Sequence, residues 1–383
     1  MSRGLRIAWL GQRSAGAGDG LTTYSREITR GLRRRGAEVV FVHHGPEAEE
    51  SPSVALESLS VGDRFRIAVP GSSRRLMEAL RMHRVDLVHV SLSFSSLDFS
   101  LPGLCHSLGL PVVGTFHAPF DTRASLWGGL SRVLYQVYAV PLANYDRVIV
   151  FGPSQARMLV RMGVPREVVA IVPNGVDVER YCPGPSDRAE RYGARVLFLY
   201  LGRLDREKNV DVLVECFLSV GPPPEVKLAL VGTGPERARL ERRYRDRRVI
   251  FTGAVPQESE RIALLRAADA LFLPSAIEGL SLALLEGMAC GLCPVATDVG
   301  CDGDAVRGVG ILLDPQRLRS ELRFAIRTLC ELPHLARELG RLARERAVER
   351  YSLDANLDAL MRIYDQVLTT RTRGLAGAPT LGR

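Results

Sequence analysis

Short apolar runs alternate with amphipathic stretches along almost the whole chain. In the first half, Leu5–Leu10, Glu38–Val42, Val85–Val90, Pro111–Thr115, Arg147–Phe151 and Val168–Val172 are largely continuous runs, and each predicts a strand buried on both faces. Thr22–Arg35 and Ser154–Met162 carry apolar residues at helical spacing, and the first of them ends at Gly36. The second half starts the pattern again. Val196–Leu201, Val226–Val231, Val249–Phe251, Ala270–Leu273 and Pro294–Thr297 predict strands with helices between them, and Gly310–Leu313 adds a short one. Strands of this kind alternating with helices imply a doubly wound parallel sheet, here an α/β fold built twice. The two domains are expected at 1–180 and 181–350, with the Pro- and Gly-rich stretch Tyr181–Asp187 as linker. A C-terminal helix at 351–368 is expected to pack back on the first domain. Residues 369–383 have no core-forming pattern and are expected to form a loose tail.

Tandem doubly wound domains face their ligand with the carboxyl ends of their strands. The informative loops all follow strands. Glu278-Gly279-Leu280-Ser281 comes after Ala270–Leu273, and a helical run carrying Glu286 follows. Ser281 suits a helix N-cap, which puts Glu286 on the second turn. A helix N-terminus beside a glycine-containing loop attracts phosphate, because free N–H groups and the helix dipole point outward there. Carboxylates flanking that pole can accept hydroxyls. The pattern suits a ligand that is part polyol and part diphosphate. Gly20, His117 and the run Arg203–Lys208 occupy the same kind of post-strand position.

Composition narrows the picture. The formal net charge is +8, and only Lys208 and Lys227 among the 51 basic residues are lysines. A compact ammonium at Lys208 can meet a diphosphate as a point charge. Nucleic acid would also explain the charge, but no helix-turn-helix pattern or aromatic-studded basic sheet accompanies it. Seven scattered cysteines fit a reducing cytoplasm. Cys290 and Cys293 have CxxC spacing without a second pair, so metal or redox use is not expected. No apolar stretch is long enough to span a bilayer, and the first residues lack a signal-peptide pattern. Arg64–Arg84 places basic residues on an expected amphipathic helix, a candidate for peripheral contact with an anionic membrane on its inner face.

From Leu5 to about Leu368 the chain resembles the GT-B glycosyltransferases of family 4, which are retaining transferases. Glu278 to Glu286, continued by Gly287-Met288-Ala289-Cys290-Gly291, is similar to the family's paired-glutamate signature. Gly202-Arg203-Leu204 to Lys208-Asn209 resembles its phosphate loop. Leu230–Pro235 and Phe251–Pro256 resemble its nucleotide-side segments, and Val172–Asp177 its interdomain segment. The resemblance implies a GT-B fold and an NDP-sugar donor. It implies that Arg203 and Lys208 hold the diphosphate, that Glu286 takes the ribose hydroxyls and that Glu278 takes those of the sugar. Gly279, Leu280 and Ser281 would offer N–H groups, Gly232 and Val255 would lie on the nucleotide side, and Gly20 would admit the phosphates closely. His117 would contact the sugar near its anomeric carbon. No metal or other cofactor is implied, although Asp302-Gly303-Asp304 has a DxD form. The departing phosphate would take the acceptor's proton on the same face. The acceptor, a lipid, glycan or small-molecule hydroxyl, stays open. The first loop, Asp19-Gly20-Leu21-Thr22, matches the family's glycine-rich loop only at Gly20. Leu280-Ser281 stands where Phe is usual, followed by Gly or Pro, and Cys293 where Pro is usual. The alternative, an epimerase-like or non-catalytic nucleotide-sugar-binding protein, fits the paired glutamates and the intact cation set less well.

Overall fold

The structure is a computed structural model and describes residues 4–12, 20–44, 52–61, 65–92, 95–117, 136–185, 187 and 192–376. The first half runs β1 (Arg6–Gln12), α1 (Gly20–Arg34), β2 (Glu38–His44), β3 (Ser53–Leu56), β4 (Ser58–Val61), β5 (Phe65–Ala68), α2 (Ser72–Met82), β6 (Leu87–Leu92), α3 (Ser96–Ser107), β7 (Val112–Phe116), β8 (Arg147–Val150), α4 (Pro153–Arg161) and β9 (Val169–Ile171). Seven of these strands form one parallel sheet in the order β3-β2-β1-β6-β7-β8-β9. The second half runs β10 (Val196–Leu201), a 3-10 turn at Arg206–Lys208, α5 (Val210–Val220), β11 (Val226–Val231), α6 (Arg237–Arg243), β12 (Val249–Gly253), α7 (Glu258–Ala267), β13 (Ala270–Leu273), α8 (Leu282–Ala289), β14 (Cys293–Thr297), α9 (Asp302–Val306), β15 (Ile311–Leu313), α10 (Leu318–Glu331), α11 (Pro333–Arg350) and α12 (Leu353–Ala376). Its sheet is also parallel, in the order β12-β11-β10-β13-β14-β15. The strand order reverses between β1 and β6 in the first sheet and between β10 and β13 in the second. Loops on either side of such a point diverge and leave a crevice.

Burial explains the continuous apolar runs. Every residue of β6, β7, β13 and β14 is buried, because helices cover both faces. Several elements do not follow from periodicity. β3 adds a short parallel edge strand, and β4 and β5 form an antiparallel hairpin in which Leu59 lies opposite Ile67. α3 lacks a clean apolar stripe and carries Pro102 inside it, yet a capping box at Ser95 and Asp98 starts it. Arg64–Arg84 is therefore not one amphipathic helix. Its described part is strand β5, a turn and the shorter helix α2, and Arg64 lies outside the described residues.

The C-terminal helix returns to the first sheet. Leu353, Leu357, Leu360, Ile363, Tyr364 and Val367 recur on one face and are buried with Ile7, Trp9, Ile28 and Leu32. Arg35 of the first domain pairs with Asp354 and Asp358 at the helix start. The helix does not give way to loose chain at 369 but continues through Ala376. None of the helices among the described residues is long and apolar enough to cross a membrane.

Leu357 lies against Gly31, where a β-carbon would come within 2.3 Å of its Cδ1. Leu357→Ala is expected to lower unfolding stability by roughly 2–5 kcal/mol, the range for deleting a buried leucine side chain. Urea unfolding checks this: the midpoint should fall with little change in slope, and an unmoved midpoint would mean the helix is not fixed to the sheet.

Candidate active site

Three loops of the second domain build the site. After β10 the chain turns at Gly202, and Leu204 N–H donates to Thr233 O at 2.9 Å. Gly232 has φ 136°, and a β-carbon there would lie 1.9 Å from Gly202 O. Only glycine lets the loops after β10 and β11 lie this close. The 3-10 turn starts with Asp205 capping Arg206 N–H at 2.8 Å, and it delivers Lys208 to the end of β13. There Ala276 N–H donates to Glu207 O at 2.7 Å, and Asn209 Nδ2 donates to Pro274 O at 2.9 Å.

Lys208 Nζ then donates to Glu278 Oε1 at 2.6 Å, and Ser275 Oγ donates to the same oxygen at 2.8 Å. Burial alone would pull the Lys208 ammonium pKa down. The adjacent Glu278 carboxylate more than offsets this, and the net shift is upward. Arg203 is 61% exposed and pairs with Asp205 at 2.6 Å. An exposed pair contributes little, about 0–1 kcal/mol, so the guanidinium is free to exchange Asp205 for an anion.

The Glu278–Ser281 loop is held from behind. Asn174 Nδ2 donates to Leu280 O at 2.8 Å, and Cys301 N–H donates to Gly279 O at 2.7 Å. Gly300 has φ 58°, and a β-carbon there would come within 2.1 Å of Glu278 O. Ser281 is the N-cap of α8 and accepts Leu284 N–H at 3.3 Å. Its own N–H donates to Asp302 Oδ1 at 2.8 Å. Ser281 N–H is therefore taken and does not serve a ligand. Gly279 and Leu280 keep N–H groups with no acceptor among the described residues. Asp302 has a structural partner, and Asp304 accepts Ser154 Oγ of α4 at 3.3 Å, so both DxD carboxylates hold loops or helices together. Burial first, then the Glu278 carboxylate, push the Asp302 pKa well up.

His117 approaches from the first domain, at the end of β7. A β-carbon on Gly279 would lie 3.7 Å from His117 O and 3.9 Å from the Phe151 ring. The His117 ring sits edge-on to Tyr24 and Phe151 at 4.6 and 5.2 Å between centroids. Its Nε2 is buried without a partner among the described residues. Burial pushes its pKa down to about 3, so the imidazole is neutral at ordinary pH. Gly20 is the first residue of α1, and a β-carbon there would meet nothing within 4 Å; the loop before it lies outside the described residues. Val255 is half-buried in the turn between β12 and α7. Glu286 is 8% exposed on the second turn of α8, with Arg261 Nε 3.6 Å away.

Family models decide what this assembly belongs to. One described as Glycosyltransferase Family 4 matches residues 18–180, and one described as Glycosyl transferases group 1 matches residues 195–331. The chain belongs to these glycosyltransferases. It is 29% identical over 265 residues to a glycogen synthase of Mycobacterium tuberculosis, covering 67% of this chain and 63% of that protein. It is 28% identical over 293 residues to a GDP-mannose-dependent alpha-(1-6)-phosphatidylinositol dimannoside mannosyltransferase of the same species, covering 74% of each. The Anabaena protein Alr3699/HepE, solved in complex with UDP, superposes with a TM-score of 0.77 at 19% identity, covering 94% of this chain and 100% of that one. The last comparison bears on fold alone, and the fold is GT-B.

Within this glycosyltransferase the sequence missed several residues. Asn174 had a signal, since it falls in the interdomain segment. Asp302 had one too, in the DxD form. Gly300 carries no local pattern, because its role arises only when distant loops meet.

The buried His117 yields a pH expectation. Its folded-state pKa of about 3 lies below the ordinary 6.5. Between those values the unfolded chain binds the proton and the folded chain does not, so this group's contribution to stability is complete above 6.5 and falls as pH drops toward 3. The imidazole C–H resonances of His117 are expected to hold their positions from pH 8 to about pH 4. A titration midpoint near 6.5 would show that the ring is hydrated.

Proposed function

We propose that this glycosyltransferase moves a sugar from an NDP-sugar donor to a hydroxyl acceptor with retention of anomeric configuration and without a metal. The observation that carries the reading is the Lys208–Glu278 pair at 2.6 Å, set at the switch point of the second sheet beside the unpaired Gly279 and Leu280 N–H groups. A cation and free backbone donors suit a diphosphate, and an adjacent carboxylate suits sugar hydroxyls. Nucleotide-sugar use also agrees with relatives named for GDP-mannose and with a fold neighbour solved with UDP.

Breaking the glycosyl–phosphate bond places negative charge on the diphosphate and positive charge on the sugar ring. Lys208, Arg203 and the α8 N-terminus stabilise the first, and they are in place before the bond breaks. The Glu278 carboxylate, freed from Lys208 when the diphosphate arrives, accepts sugar hydroxyls. His117, neutral and above the sugar, contributes a hydrogen bond and no charge. With the diphosphate clamped beside the anomeric carbon, the acceptor attacks on the same face, and a phosphate oxygen takes its proton. Gly232 and Val255 bound the nucleotide side, Glu286 takes ribose hydroxyls, and Gly20 leaves room for the phosphates.

For the acceptor, one surface favours a membrane-borne hydroxyl. Leu59, Ile67 and Met82 are 64%, 42% and 72% exposed on the β4–β5 hairpin and α2. Arg74, Arg75 and Arg81 stand on α2, and Arg75 ties that helix to Glu57 beside the hairpin at 3.2 Å. An exposed apolar hairpin beside an arginine-bearing helix suits an anionic bilayer.

Turnover in EDTA-containing buffer, followed by nucleotide release from UDP-, GDP- and ADP-sugars, tests the main reading. Lys208→Ala and Arg203→Ala should each lower kcat by about 10²–10³, the usual cost of one preorganised charge contact. Near-wild-type turnover in both, or activity abolished by chelation and restored by Mg²⁺ or Mn²⁺, would overturn it.

Product stereochemistry gives a separate check. An α-linked donor should yield an α-linked product by proton NMR of the anomeric signal; a β linkage would refute the same-face route. For the acceptor surface, the protein should co-sediment with anionic vesicles at low salt and leave them as ionic strength shortens the reach of the charges to about 10 Å at 0.1 M. Equal binding to zwitterionic vesicles, or none to anionic ones, removes the membrane reading.

A further inference from the structure

We propose that Arg261 is a positioning residue for the donor: it keeps the buried Glu286 carboxylate charged while leaving its oxygens free to accept the ribose hydroxyls. The proposal rests on the donor reading of Glu286 given above. Four carboxylates, those of Glu27, Asp177, Glu258 and Glu286, line one cavity of about 30 Å³ between α1, the interdomain segment, α7 and α8. That is room for a hydroxyl-sized group. Arg26 and Arg30 of α1 stand 3.5 and 4.0 Å from Glu27, and Arg180 and Arg261 serve the other three acids.

Arg180 reaches Asp177 at 2.7 Å, both oxygens of Glu258 at 2.9 Å and Glu27 at 3.3 Å. The Tyr181 hydroxyl donates to Glu258 at 3.0 Å as well. These direct bonds satisfy Glu258, although Arg261 Nη2 also stands 3.7 Å from it. Arg261 donates to the Tyr181 oxygen at 2.7 Å, which fixes its guanidinium, and its Nε stands 3.6 Å from Glu286 Oε2. That separation is an ion pair but is too long for a hydrogen bond. Charge is compensated, and apart from the neighbouring Tyr181 hydroxyl no side chain among the described residues draws on the carboxylate's acceptor capacity. A direct bond would have used the oxygens that the ribose needs.

A carboxylate this buried neutralises unless a cation stands near it. Burial pushes the Glu286 pKa up, the Arg261 guanidinium and the Tyr181 hydroxyl pull it back, and the Glu258 and Glu27 carboxylates push it up again. Cys290, one turn further along, is pushed up to about 12 by burial and stays a neutral thiol. Arg261 is thus the cation whose loss leaves Glu286 facing two like charges. Once protonated, Glu286 offers one O–H and weaker acceptors in place of a carboxylate that can take two hydroxyls.

Calorimetric titration of UDP, GDP and ADP, and of their 2′-deoxy forms, tests this between pH 6 and pH 8. The wild type should bind at least one of the three and lose about tenfold on removal of the 2′-hydroxyl, and Glu286→Gln should erase that discrimination. Arg261→Gln retains a donor toward Tyr181 but carries no charge. It should match the wild type near pH 8 and weaken about tenfold by pH 6. The slope is measured against Arg261→Gln/Glu286→Gln, because the nucleotide's own phosphate titrates in the same range. Arg261→Lys should restore the wild-type profile, which a purely structural role for Arg261 would not require. If Glu286→Gln loses discrimination while Arg261→Gln follows the wild-type pH profile, the role of Arg261 is overturned and the donor reading stands. If Glu286→Gln still distinguishes ribose from deoxyribose, or the wild type binds none of the three, the donor reading fails and takes this proposal with it.

Discussion

A cation and a carboxylate set side by side at the switch point of a parallel sheet dictate the rest of the site. Lys208 and Glu278 are each less than one-fifth exposed, and both charges have been drawn largely out of water. Desolvation of such a pair can outweigh its Coulomb gain, so it is a poor device for stability. On the proposed reading its value lies in what an arriving anion would find: an ammonium already oriented, and a carboxylate to be turned over to hydroxyls once the ammonium has another partner. The loops after β10 and β13 must therefore be fixed to within a few tenths of an ångström, and their backbone bonds are arranged for that. Ala276 to Glu207, Asn209 to Pro274 and Leu204 to Thr233 join three loops that are far apart in sequence.

The same constraint explains where polar groups are used up and where they are left open. Along Glu278–Ser281, the carbonyls of Gly279 and Leu280 and the N–H of Ser281 all have partners. Their partners are Cys301 and Asp302 at the start of α9 and Asn174 in the interdomain segment, two segments far apart in sequence. The N–H groups of Gly279 and Leu280 have none among the described residues. A loop with every group satisfied would be rigid and inert, and one with none satisfied would be mobile. This loop is satisfied on the side facing the protein and open on the other, which is what preorganised anion binding requires.

Much of this was legible in the sequence, for identifiable reasons. Continuous apolar runs gave the strands of both sheets because burial on both faces removes the alternation that edge strands keep. Ser281 as N-cap and Glu286 on the second turn followed from local helix rules. The misses are equally physical. Of the hairpin, Phe65–Ala68 sits in the basic stretch Arg64–Arg84 whose charge pattern suggested helix, and the apolar pair Leu59 and Ile67 faces outward, so no core signal marked either strand. The C-terminal helix runs past Leu368 although its last residues carry no apolar stripe, because helix propagation needs only the next hydrogen bond. Gly300 and Arg261 matter through residues more than twenty positions away, and no local window contains that information. Ser281 illustrates the opposite error: resemblance offered its N–H to a ligand, and a side chain 21 positions on had already taken it.

The two domains are joined by more than a linker. The chain crosses between them at Val172–Asp177, ahead of the linker expected at Tyr181–Asp187, because Tyr181 is already buried in the core of the second domain, and it crosses again at Tyr351–Leu353. The crossings are bonded to each other, with Val176 N–H to Tyr351 O and Leu353 N–H to Val176 O, both at 2.8 Å. Beyond the second crossing, α12 is buried against the first sheet and moves with it. Any rotation of one domain against the other must therefore bend both crossings together at this one bridge. Asn174 lies in the bridge and holds Leu280 O, and Arg180 lies just beyond it and touches acids on both sides of the cleft. The bridge and the Glu278 loop are thus in direct hydrogen-bonded contact through Asn174. The candidate donor groups therefore sit beside the bridge at which the two crossings meet.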